Sequence, residues 1–133
     1  MVDDSEIVAE SVRRWLKRDG YEVVVTHDCA EARAAAAQRH FSAHVIDLEL
    51  SDGLGVDLAL WLKYTGHSAP NIFYTGHSMG SEAIEQARQF GRVVIKGENP
   101  KALLNMLREI AFSIRPPLRS TAPEVKVRPR PKK

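Results

Sequence analysis

No stretch of this 133-residue chain approaches the roughly 18 consecutive apolar residues that a membrane-spanning helix needs. Nor does a charged-then-apolar segment at the N-terminus mark it for export. Its one cysteine, Cys29, excludes an internal disulfide, and in a cytoplasmic domain it is expected as a small reduced residue near a helix start. Nothing in the sequence puts a base beside that thiol, so cysteine catalysis has no support. Histidine stops at His77 and aspartate at Asp57; chemistry that needs an acid and then a histidine late in the chain is therefore missing its parts. A strong excess of one charge is also lacking, the formal net charge being +2. That balance hides an asymmetry, because residues 118–133 carry six Lys and Arg against one Glu. The body is therefore mildly acidic and the tail basic.

What is present is an alternation of helix and strand patterns in a length that suits one domain. Ser5 is set to cap a helix whose Val8, Val12, Trp15 and Leu16 share one face, and Gly20 ends it. Tyr21–Thr26 reads as a strand, and Asp28 as the cap of an alanine-rich helix over 30–39. A short buried strand over 43–48, a helix over 56–64, a strand over 71–75, a helix over 81–90 and a strand over 93–95 follow. A last helix shows Leu103, Leu107, Ile110 and Ile114 as one stripe and stops before Pro116-Pro117. Strands alternating with helices predict an α/β fold with a parallel sheet covered on both faces. Trp15, Val24, Val45, Ile46, Ile72, Phe73, Val94, Leu103 and Leu107 are the expected core. The folded domain is expected over 1–116; residues 117–133, rich in proline and basic residues without periodicity, read as a disordered tail.

Five polar residues fall, in order, where strands should meet loops: Asp3 and Asp4 before the first helix, Asp47 after Val45-Ile46, Thr75 after Phe73-Tyr74, and Lys96 after Val94-Ile95. If the strands are parallel, all five gather at the carboxyl edge of the sheet, where open α/β sheets bind ligands. A carboxylate cluster there suits a hard cation. The lysine and the hydroxyl suit an anion such as a phosphoryl group. Taken singly, Asp3-Asp4 could complement a helix dipole, Asp47 could cap a loop, and Thr75 and Lys96 could be ordinary strand ends. It is their joint placement that argues for a site.

These residues resemble the receiver domain of bacterial response regulators, the phosphoacceptor half of two-component signalling. The resemblance covers about residues 1–115 and rests on Val2-Asp3-Asp4, on Val45-Ile46-Asp47-Leu48-Glu49-Leu50 with the glycine-containing loop after it, on Tyr74-Thr75-Gly76 and on Val94-Ile95-Lys96. It implies a flavodoxin-like, doubly wound, five-stranded parallel sheet in the order 2-1-3-4-5, here with a truncated first strand, since only Met1 and Val2 precede Asp3. Such a stub suggests a start upstream, a tolerated truncation or an altered sheet. The resemblance further implies that Asp47 is the phosphorylated residue and that Asp3, Asp4, Asp47 and the backbone carbonyl of Glu49 hold Mg²⁺, Asp3 through water. Thr75 and Lys96 would contact the phosphoryl oxygens. The implied partners are a sensor histidine kinase or a histidine phosphotransfer protein, an unidentified downstream protein, and in some cases a second copy of the chain.

The chain departs from the family's pattern in three places that bear on signalling. Gly97 stands where a proline usually follows the lysine, Val93 where an aromatic switch residue usually lies, and Ser51 where a proline usually follows the phosphoacceptor. The short first strand, Val93 and Gly97 favour a degenerate receiver, an interaction module independent of phosphate. The retained Asp4, Asp47 and Lys96 favour an active phosphoacceptor, which is the expected function.

One motif points elsewhere. Gly76-His77-Ser78-Met79-Gly80 matches the Gly-x-Ser-x-Gly elbow of serine hydrolases. No histidine follows Ser78 and no aspartate follows Asp57, so the partners that such a serine needs are absent. His67 and His77 sit in a repeated Thr-Gly-His-Ser, too few ligands for a metal site. His40 and His44 read as solvated loop residues. The basic tail could hold nucleic acid electrostatically, but without interleaved aromatics it offers no sequence-specific readout.

Overall fold

The structure is a computed structural model that describes residues 1–76, 81–97 and 101–114, with side chains through 111. Ten elements follow in order: α1 (Glu6–Arg18), α2 (Cys29–Gln38), β1 (His44–Ile46), β2 (Glu49–Leu50), β3 (Gly53–Leu54), α3 (Gly55–Tyr64), β4 (Asn71–Thr75), α4 (Glu82–Ala87), β5 (Arg92–Ile95) and α5 (Ala102–Ile114). The boundary expected at 116, the basic tail and most of the Gly76–Gly80 elbow lie outside the described residues.

Local chemistry explains the helix starts. The Ser5, Asp28 and Ser81 side chains accept from the backbone N–H of Val8, Glu31 and Ile84, each satisfying a donor that the first turn leaves unpaired.

The main sheet is parallel, with β4 between β1 and β5. Val2 extends it by one rung, bridging Ile46 on one side and Thr26 on the other, both in parallel. Its N–H donates to the Val45 carbonyl at 2.7 Å, and its own carbonyl accepts from Asp47 at 2.9 Å. The N–H of Asp3 reaches the Thr26 carbonyl at 3.0 Å. The spatial order is thus the expected one, 2-1-3-4-5, but its first two members are reduced to single bridges. Tyr21–Thr26, expected as a strand, forms no ladder among the described residues beyond the Thr26 bridge. β propensity alone does not make a ladder where no neighbouring strand pairs with the segment.

Alternation along the strands divides the core between two faces. Val45, Ile72, Tyr74 and Val94 pack with Val12 and Leu16 of α1 and Leu103, Leu107 and Ile110 of α5. Ile46 and Phe73 pack on the other face with Ala32, Leu58, Leu62 and Ile84 from α2, α3 and α4. Seven of the nine expected core residues are buried; Trp15 and Val24 are only partly so. His44 corrects an expectation: it is buried at the start of β1 rather than solvated.

Candidate functional site: an acidic cleft at the carboxyl edge of the sheet

Register determines which residues meet. Val2 is level with Ile46, so Asp3 and Asp47 emerge side by side. Ile46 is level with Phe73, and Thr75 with Ile95, so Thr75 and Lys96 emerge at the same edge. The N–H of Lys96 donates to the Thr75 carbonyl at 2.8 Å, closing that end of the β4–β5 pair. All five polar residues singled out in the sequence are brought together here, as parallel pairing requires.

Asp3, Asp4 and Asp47 each offer a carboxylate oxygen, and these oxygens lie within 4.8 Å of one another. The three differ in exposure: Asp3 is fully buried, Asp47 half-buried and Asp4 exposed. Oδ1 of Asp3 accepts the N–H of Ser5 at 2.9 Å, which fixes the carboxylate at the mouth of α1. Its Oδ2 has no hydrogen bond of good geometry, but lies 2.7 Å from Nζ of Lys96. That contact is an ion pair. The same ammonium donates to Oδ2 of Asp47 at 3.1 Å, so Lys96 bridges the two carboxylates, with the Tyr74 ring 5.8 Å beneath it.

These contacts set the proton affinities. Burial pushes the Asp47 carboxyl above the ordinary carboxylate range, opposed by the Lys96 charge and by a hydrogen bond from the Glu49 backbone. Burial alone would lower the Lys96 ammonium, but the Asp3 and Asp47 carboxylates outweigh it and hold the group above its usual value. The site therefore keeps a firm cation beside a carboxylate that burial has made costly to ionise.

The cleft in front of these groups has a volume of about 480 Å³ and is lined by Asp4, Asp47, Glu49, Ser51, Thr75 and Gly76 among others. Oxygen donors from several carboxylates fit a hard divalent cation better than a soft one. Thr75 is buried at the wall of the cleft.

Two features were not read from the sequence. The segment after Asp47 closes as an antiparallel hairpin, with Glu49 opposite Leu54 and Leu50 opposite Gly53. The Asp52-Gly53 pair was the available turn signal. At the hairpin's tip, Asp52 reaches α2, a contact that no local pattern announces.

Residues 1–108 match the response regulator receiver domain family. Among curated proteins, the response regulator MprA of Mycobacterium avium is 33% identical over 84 residues, covering 63% of this chain and 37% of that protein. The Mycobacterium tuberculosis protein of the same name is also 33% identical, over 63% of this chain and 36% of its own length. The chain thus spans little more than a third of these relatives. Among solved structures, a two-component response regulator from Clostridium difficile superposes with a TM-score of 0.79 at 19% identity, covering 86% of this chain and 95% of that one. The chemotaxis response regulator CheY4 of Vibrio cholerae gives 0.74 at 25% identity, over 82% and 93%. TrrA of Thermotoga maritima, solved in complex with Mg²⁺-BeF, gives 0.72 at 20% identity, over 82% and 94%. With the carboxyl-edge cleft on the same flavodoxin-like scaffold, the chain belongs to the response regulator receiver domains of two-component signalling.

Proposed function

We propose that this receiver domain takes a phosphoryl group onto Asp47 from a histidine kinase or a histidine phosphotransfer protein, and passes the signal on through protein contacts in the cytoplasm. The observation that carries this reading is the joint geometry of the cleft: three carboxylates within 4.8 Å and a lysine bridging two of them.

In this reading an Asp47 oxygen attacks phosphorus while the bond from phosphorus to the donor breaks, its electron pair leaving with the donor and an acyl phosphate remaining on Asp47. Mg²⁺, when bound, neutralises charge on the phosphoryl oxygens. Asp4 and Asp47 would hold it directly, Asp3 through water, and the Glu49 carbonyl would complete the protein's share. Lys96 stands where a phosphoryl oxygen would exchange for a carboxylate as its partner, and the Thr75 hydroxyl would take a second oxygen. A second reading, a module that works without phosphate, is favoured by Val93, which packs partly buried against the aliphatic core where a switch aromatic would sit.

Intact mass after incubation with a small phosphodonor, with and without Mg²⁺, separates the two. A Mg²⁺-dependent phosphoryl adduct that disappears in Asp47→Asn is the expected result. No adduct on a folded sample favours the phosphate-independent module, and an equal rate of labelling in Asp47→Asn rules out Asp47 as the acceptor.

A further inference from the structure

The hairpin β2–β3 is tied to a helix far away in sequence. Oδ1 of Asp52 accepts the N–H of Cys29 at 2.8 Å, and Oδ2 accepts the N–H of Ala30 at 3.1 Å. The Cys29 thiol also donates to this carboxylate. Cys29 and Ala30 open α2, and their N–H groups are among those that the first turn leaves unpaired. Asp28 already caps Glu31 from within the chain's own turn. A second carboxylate, arriving from the hairpin, therefore takes the two donors that Asp28 does not reach, and does so where the helix dipole favours negative charge.

The other end of the same hairpin is at the cleft. Glu49 begins β2 and gives its backbone N–H to the Asp47 carboxylate. The N–H of Gly55 donates to the Leu48 carbonyl at 2.8 Å, closing the base. A Cβ on Gly53 would sit 3.3 Å from the Cys29 sulfur, so the hairpin rests directly on the start of α2. Ser51, in the turn, has no ring to restrict its backbone. The Asp52 tether adds a side-chain anchor at the tip to the ladder and the closed base.

We propose that Asp52 is a positioning residue for the cation site: by anchoring the hairpin to the N-terminus of α2, it holds the Glu49 backbone where it orients Asp47 and faces the metal. This rests on the Mg²⁺ reading above. Positioning of this kind is reciprocal, because a tether that tightens the metal site must itself be tightened by the metal.

The test uses Asp52→Asn, which keeps the side chain's shape, and Asp52→Ala, with Mg²⁺ affinity by calorimetry and amide exchange at Cys29 and Ala30 by NMR. In the wild type, Mg²⁺ should slow exchange at both amides. In Asp52→Ala, Mg²⁺ affinity should fall about tenfold, the lower end for outer-shell partners of metal ligands, with a smaller loss in Asp52→Asn and no effect of Mg²⁺ on either amide. A variant that melts earlier but keeps wild-type Mg²⁺ affinity would reduce Asp52 to a helix cap and overturn the proposal alone. A wild type that binds no Mg²⁺ would overturn the metal reading and this one with it.

Discussion

At the scale of single residues, His44 at the start of β1 and Asp47 just past its end show opposite responses to burial. Burial holds the Asp47 carboxyl above its usual range, so the folded chain binds more protons than the unfolded one just above the ordinary carboxylate pKa, and stability falls as pH rises through that window. At neutral pH the charge is carried at a cost. Asp47→Asn should therefore raise the melting temperature by about 3 °C, the size expected when a functional site is relieved of a strained charge. Added Mg²⁺ should stabilise the wild type but not this variant, as thermal unfolding with and without the ion would show. His44 is lowered from its usual value by burial, against the opposing hydrogen bond to Asn71, with the nearby Met1 amino group, His67 and His40 adding to the lowering. Its contribution is complete above about pH 6.5, the unfolded value, and is lost as pH falls below that. The urea midpoint should drop between pH 7.5 and 5.5, and drop less in His44→Leu. A residual slope should persist, because burial also pushes the Met1 amino group down to about 5, with the same sign.

At the scale of elements, the start of α3 is the tightest joint in the site. A Cβ on Gly55 would run into the backbone carbonyl of Asp47 and crowd the Ile46 side chain. Backbone cannot yield as a flexible side chain does, so Gly55→Ala should cost at least about 2 kcal/mol, towards the upper end of overpacking penalties, and urea unfolding would measure it. The same substitution should shift Asp47 and weaken phosphoryl labelling more than Asp52→Asn does. The caps at Ser5 and Asp28, and the strand ends carrying Asp47, Thr75 and Lys96, were legible because each depends on neighbours in sequence. The β2–β3 hairpin was not, being pairs of two-residue strands too short for a periodic signal. Nor was the early end of α4, which stops at Ala87 although the helical pattern runs to Phe90. The meeting of Asp52 with Cys29 is tertiary, and periodicity carries no information about it.

At the scale of the whole molecule, the sheet has a firm side and a thin one. β1, β4 and β5 form continuous parallel ladders with Phe73 and Ile72 fully buried between the helix layers. Tyr21–Val25 is attached through the Thr26 bridge and through the Met1 amino group, which donates to the Val24 carbonyl at 2.8 Å. Amides of Val23 and Val25 should therefore exchange at least about 100-fold faster than those of Ile72 and Phe73, because protection follows how much structure must open. Equal protection would mean that the second strand is paired in solution. The residue patterns predict a strand at 21–26, where the structure has only the Thr26 bridge, and the segment's outermost place in the order is what the resemblance to receiver domains implies. They could not register that pairing fails there, because pairing depends on a neighbouring strand and not on the segment's own residues.

The single rung at Val2 thus behaves as a mechanical fuse. Under tension applied ahead of α1, the two hydrogen bonds that join Val2 to Val45 and Asp47 break before any of the ladders shear. The first thing to separate is Asp3 from Asp47, so a pull on this end of the chain would dismantle the acidic cleft while the rest of the fold stands.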